Sequence, residues 1–169
     1  MRKLLLLLFV VFGFSAISFG QVNETATSSA TIITPIAITK SIDLNFGSVA
    51  VSPTIPGTVV LVPAGTRSKT GGVTLPVTTG TVSSAKFTVT GLASSTYSIS
   101  LPGDIILSDG SSHQMIVGTF TSTPTSTGTL GSGTGSEDIL VGATLNVGAA
   151  QTAGLYTNAA GLVVTVNYN

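Results

Sequence analysis

No cysteine and no tryptophan occur in the 169 residues, histidine occurs once, and Asp, Glu, Lys and Arg together supply only 7% of the chain. Without thiols, disulfides, cysteine-ligated zinc and thiolate nucleophiles are excluded. The single imidazole, His113, allows one catalytic histidine at most. So few charges leave no basic face for nucleic acid and no network of ion pairs. Aromatics are 6% of the chain, which weakens any stacking platform for sugars. No window carries a sustained 3.6-residue apolar stripe, so helices are not expected.

The one long apolar run, Leu4 to Phe14, is shorter than the ~20 residues a membrane helix needs. Arg2 and Lys3 precede it, and Ser18, Phe19 and Gly20 follow. A basic start, a short apolar middle and small residues before Gln21 read as a secretory signal peptide over residues 1–20. The expected product is exported, to the periplasm, the cell surface or beyond, with no stable membrane insertion of the mature chain. Removing the leader takes Arg2 and Lys3 with it and leaves four basic against six acidic residues. Residues 21–169 are one domain by length, and their stability has to come from apolar packing and backbone ladders.

Those ladders are written as a two-residue period. Apolar residues recur at every second position in Ala85, Phe87 and Val89, in Val73, Leu75 and Val77, and in Tyr97, Ile99 and Leu101. The same period returns in Ile139, Val141, Ala143, Leu145 and Val147, then in Leu162, Val164, Val166 and Tyr168. Such strands, broken by Gly, Pro, Ser and Asp turns, predict an all-β antiparallel sandwich in which two sheets each bury one face. Asp109-Gly110 predicts a hairpin between Ile106 and Met115. Pro35 and Pro76 fall inside apparent strands and point to edges or bulges there. Residues 121–136, almost entirely Thr, Ser and Gly, read as a mobile loop or a long hairpin tip.

Candidate chemistry is sparse. Ser111 and Ser112 share a turn with His113 and are poorly placed as a supported nucleophile, so a solvated loop histidine is expected. Asp104, Asp109, Glu137 and Asp138 form the only acidic grouping on predicted loops, and their spacing matches no calcium loop. They read as charges that keep strand ends soluble. No catalytic residue, no cofactor and no metal ligand is assigned.

The chain closes on Val164, Val166 and a penultimate Tyr168, with Gly154 upstream. This resembles the closing strand of chaperone-usher pilins and of spore-coat-U-like pilus subunits. Together with the segment ATIITPIAITKSIDLNFGSV, which runs from Ala30 to Val49, it makes the chain similar to the bacterial secreted family known as domain of unknown function 4402. The resemblance implies a single Ig-like β-sandwich, association with a pilus or surface, and no known activity. It also implies self-association or pilin-like neighbours, and a periplasmic chaperone, as partners.

Residues 26–39 admit two readings. They are either the first strand of a complete sandwich or a donor strand that offers Ile32, Ile36 and Ile38 to an open groove of a neighbour. Val164, Val166 and Tyr168 are the matching candidates at the other end. The expected function is therefore a non-enzymatic structural subunit of a surface fibre. A secreted monomeric binding or adhesion module is the alternative, and a hydrolase working through His113 or the carboxylates comes third.

Overall fold

The computed structural model describes residues 20–159 and 161–169. The expected leader therefore lies, apart from Gly20, outside the described residues. Among those residues twelve strands and no helix occur: β1 (Ala37–Ile42), β2 (Ala50–Val51), β3 (Gly57–Leu61), β4 (Arg67–Gly71), β5 (Val73–Thr74), β6 (Ala85–Thr90), β7 (Thr96–Ser100), β8 (Ile105–Ser108), β9 (Gln114–Thr123), β10 (Thr127–Thr129), β11 (Ser136–Val147) and β12 (Thr165–Tyr168). Every pairing is antiparallel. Residues 33–169 form one compact unit; the described part of the other, residues 20–32, contains no strand and is exposed throughout.

The spine of the larger, seven-stranded sheet is β11. Its Ile139, Val141, Ala143, Leu145 and Val147 are all buried, so one face of a twelve-residue strand is continuously apolar. One edge of β11 pairs β9, which in turn pairs β8. The other edge is shared end to end: residues 136–141 pair β6 and residues 143–147 pair β3, with β1 beyond β6 and β4 beyond β3. Gly142 stands at the changeover. A Cβ there would lie 2.2 Å from the Leu61 carbonyl oxygen, so only glycine lets the β3 chain pass.

Two clusters fill the interior. In the first, Phe87, Val89, Ile139 and Val141 face Tyr97, Ile99, Leu130, Val164 and Val166, which belong to or border a three-stranded sheet ordered β10-β7-β12. In the second, Val59, Leu61, Val117, Leu145 and Val147 meet Phe46 and Val73, covered only by the two-stranded sheet β2-β5 and irregular chain. Each fully buried Val, Leu or Ile contributes about 1.5–3 kcal/mol, so these rows carry the stability.

Several expectations change. The alternation from Thr25 to Thr39 yields a strand only from Ala37 onward, and Pro35, which lacks a ladder N–H, sits just before it. Val77 is fully exposed, because the chain leaves the sheet at Thr74, two residues before Pro76. Of the two readings of residues 121–136, the hairpin tip fits and the loose loop does not: they lead from β9, which runs on to Thr123, into its partner β11, β10 pairs β7, and Leu130 is 1% exposed in the first core. The buried Ser122 hydroxyl donates to the Pro124 and Thr125 carbonyls, and Ile99 N–H donates to the Ser126 carbonyl, so backbone pairing replaces the apolar anchors the segment lacks. The Asp109-Gly110 turn does join β8 to β9, as expected.

Candidate functional site

Five of the six side chains singled out from the sequence meet in the first core. Ile36 and Ile38 at the start of β1, and Val164, Val166 and Tyr168 around β12, share the cluster built on Phe87, Val89 and Ile99. β1 and β12 are outermost in their respective sheets, each with one edge unpaired by any strand among the described residues. The Tyr168 hydroxyl accepts from Leu92 N–H at 2.7 Å and donates to the Thr34 carbonyl at 2.9 Å, tying the last strand to the approach into the first. It can come this close because residue 91 is glycine; a Cβ at Gly91 would lie 2.2 Å from the phenolic oxygen. Ile32 belongs to the preceding segment and is 98% exposed.

A second feature gave no signal in the sequence. A cleft of about 1060 Å³ opens over the β8–β9 end of the large sheet. Phe87, Leu107, Met115, Val117 and Leu145 line its floor. One wall is residues 44–51 and the other is a strap, residues 151–159. The first wall is held by an Asn45–Ser83 backbone pair and by Arg67, whose Nη1 donates to the carbonyls of Phe46 and Ser48. Arg67 Nη2 is buried without a partner. The strap is held by a Ser108–Thr157 backbone pair and by Asn158 Nδ2 donating to Ile106 O at 2.8 Å. Gln151 Nε2 donates to the Tyr156 hydroxyl at 2.9 Å, and that hydroxyl donates to Thr152 O at 2.8 Å. Lys40 and Asp43, the charged residues at the lining, pair with each other.

Several titratable groups are engaged in structure. His113 Nδ1 lies 2.6 Å from Asp109 Oδ2, and Ser111 N–H donates to Asp109 Oδ1 at 2.8 Å. The hydrogen bond from His113, then that from Ser111, hold the Asp109 carboxyl below its ordinary range and close the hairpin turn. Glu137 Oε2 accepts from the buried Tyr97 hydroxyl at 2.8 Å and from Thr129 N–H at 2.7 Å, fastening β10 and β7 to β11. Burial first, and that hydrogen bond second, push the Tyr97 phenol far above its usual value. Asp138 takes Lys86 at 2.8 Å and Thr88 Oγ1 at 2.8 Å, which hold its carboxyl below the ordinary range in that order of size. No group of three or more metal-ligating side chains converges among the described residues.

What the arrangement offers chemically is apolar surface and strand edges. No curated protein and no solved structure matches the chain. Residues 36–168, from the approach to β1 through to the penultimate tyrosine, match the family described as Domain of unknown function (DUF4402), and the chain belongs to that family.

Proposed function

We propose that this chain is a non-catalytic, exported structural subunit of a bacterial surface fibre, joined to its neighbours by β-strand addition. The observation that carries the reading is the stretch from Gly20 to Pro35. It forms no strand, is exposed at every position, and presents Ile32 at 98% and Ile33 at 49% exposure. A β-capable segment with apolar residues and no partner is the donor half of a strand-addition joint. The acceptor half is supplied by sheets whose outer strands, β1, β4 and β8 in the large sheet and β10 and β12 in the small one, keep an edge that no further strand among the described residues covers. Because donor and acceptor are different surfaces, the contact is heterologous and propagates as a filament.

Size-exclusion chromatography and negative-stain imaging of the chain beginning at Gln21, beside one beginning at Ile36, test the reading. Polymers from the longer chain and monomers from the shorter are expected. Clean monomers from both overturn it. The cleft favours a second reading, a monomeric binding module with Tyr156 at the mouth of its site; retention of a glycan or peptide by that monomer on an array supports it.

A further inference from the structure

We propose that Asp109-Gly110 is a covalent modification site of this chain, a place of succinimide and isoaspartate formation, and that His113 and Ser108 hold it latent in the folded protein. The site belongs to the β8–β9 hairpin alone, so it is the same in a monomer and in a fibre.

The chemistry is intramolecular. The amide nitrogen of the residue after an aspartate attacks the side-chain carboxyl carbon; a C–N bond forms, and a carboxyl oxygen leaves as water with the amide proton and the carboxyl proton. Water then opens the five-membered ring at either carbonyl. One opening restores aspartate, and the other gives isoaspartate, in which the main chain runs through the former side-chain carboxyl. No oxidant and no co-reactant besides water takes part.

A side chain on the following residue obstructs the attack, and glycine has none. Asp43, Asp104 and Asp138 are followed by Leu44, Ile105 and Ile139, and no asparagine in the chain precedes a glycine. Asp109 alone does. The turn needs this neighbour, because Gly110 sits at φ +80°, where a side chain is strained. The reactive pair is therefore part of the hairpin's own geometry.

The fold restrains the groups that would react. Gly110 N–H, the nucleophile, donates to Ser108 Oγ at 3.1 Å. Asp109 Oδ1 accepts from Ser111 N–H at 2.8 Å, and Oδ2 lies 2.6 Å from His113 Nδ1. Turning the carboxyl carbon onto the Gly110 nitrogen breaks both contacts. The same two partners, His113 first, keep the carboxyl ionised, and a carboxylate has no proton with which to lose its oxygen as water. Asp109 N–H donates to the His113 carbonyl at 3.3 Å, which holds the imidazole within reach. The chain's one histidine thereby has a positioning role that needs no substrate.

The position matters to the sheet. Isoaspartate adds one carbon to the main chain beside Ser108, which pairs Gln114 across the hairpin and Thr157 of the strap on its other edge. A lesion there loosens the turn and the strap together.

The full chain is aged in mildly acidic buffer made with heavy-oxygen water, which labels every carboxyl that has passed through the ring. Isoaspartate at 109 is read by peptide mapping with electron-transfer fragmentation. The samples are the folded parent, the parent unfolded in guanidinium chloride, His113→Ala, His113→Asn, Ser108→Ala and Ser112→Ala, each variant first checked for a β-sheet circular dichroism spectrum. In the unfolded parent, label and isoaspartate are expected at 109 ahead of every other aspartate, and folding slows them roughly tenfold or more. His113→Ala and Ser108→Ala each recover about threefold to tenfold, the size of one hydrogen bond that no longer has to be broken on the way to the ring. His113→Asn, which keeps a donor near the same place, and Ser112→Ala, which alters the same loop elsewhere, stay close to the folded parent. No isoaspartate at 109 in the unfolded chain overturns the site. Equal rates in the folded and unfolded parent, or alanine variants that fold and age no faster than the parent, overturn the latency. Acceleration by Ser112→Ala or His113→Asn as large as that by His113→Ala overturns the role of His113, because loop mobility then sets the rate. Should His113→Ala lose its sheet spectrum, Ser108→Ala decides the latency from the nucleophile's side.

Discussion

Replacing Tyr168 by Phe removes one oxygen that joins three segments. The hydroxyl accepts from Leu92 N–H and donates to the Thr34 carbonyl, while the ring packs in the first core. Both bonds lie at exposed positions, so water takes over part of each when the hydroxyl is lost, and a net contribution near the lower end of the usual range applies, about 0.5–1 kcal/mol apiece. The expected cost is about 1–2 kcal/mol. A chain of this size loses about 2–4 °C of melting temperature per kcal/mol, so Tyr168→Phe melts roughly 2–8 °C lower. Gly91 supplies a control. Its Cβ would stand 2.2 Å from the phenolic oxygen but 3.1 Å from Cζ, so Gly91→Ala destabilises the parent more than it destabilises Tyr168→Phe. Urea unfolding of the parent, both single variants and the double variant closes a thermodynamic cycle with a coupling of about 0.5 kcal/mol or more. A melting temperature within 1 °C of the parent, or strictly additive variants, refutes the assignment of this hydroxyl as a tie.

Gly142→Ala is expected to be among the most damaging single-methyl additions, at least 2 kcal/mol by urea unfolding, because its Cβ meets the backbone at Leu61 and Val62 rather than a movable side chain. Arg67→Met keeps the aliphatic stem but drops both carbonyl contacts; hydrogen exchange of residues 44–51 is expected to accelerate more than that of β11. Acid stability follows from Asp138. Its carboxyl titrates lower when folded than when unfolded, so its contribution is present above about pH 4 and fades as pH falls through the depressed folded value. Asp138→Asn is expected to flatten the acid limb of a melting-temperature profile below about pH 4, and an unchanged limb rules out that contribution.

The inward rows of β6, β7 and β11 were legible because a period of two leaves no other arrangement: Ala85, Phe87 and Val89, and Ile139 through Val147, are buried as their spacing requires. Alternation reports which face is apolar and is silent on whether a partner edge exists. For that reason residues 25–36 read as a strand and form none. β10 shows the converse. Thr127, Gly128 and Thr129 have no apolar residue to betray a strand, and their pairing to Ser98, Tyr97 and Thr96 is entirely backbone. The sharing of one β11 edge by β6 and β3 depends on Gly142, which in sequence is one glycine among 20. The walls of the cleft, residues 44–51 and 151–159, lie about a hundred positions apart, and no local pattern brings them together in the sequence.

The first and last strands belong to different sheets, β1 to the large one and β12 to the small one. Tension that enters at one and leaves at the other crosses interdigitated side chains of the first core, with the Tyr168–Thr34 bond bridging the gap, instead of running along a ladder loaded in shear. Pulling the two ends of one unit apart would therefore load the first core across its layers, where hydrocarbon surfaces can part and close again.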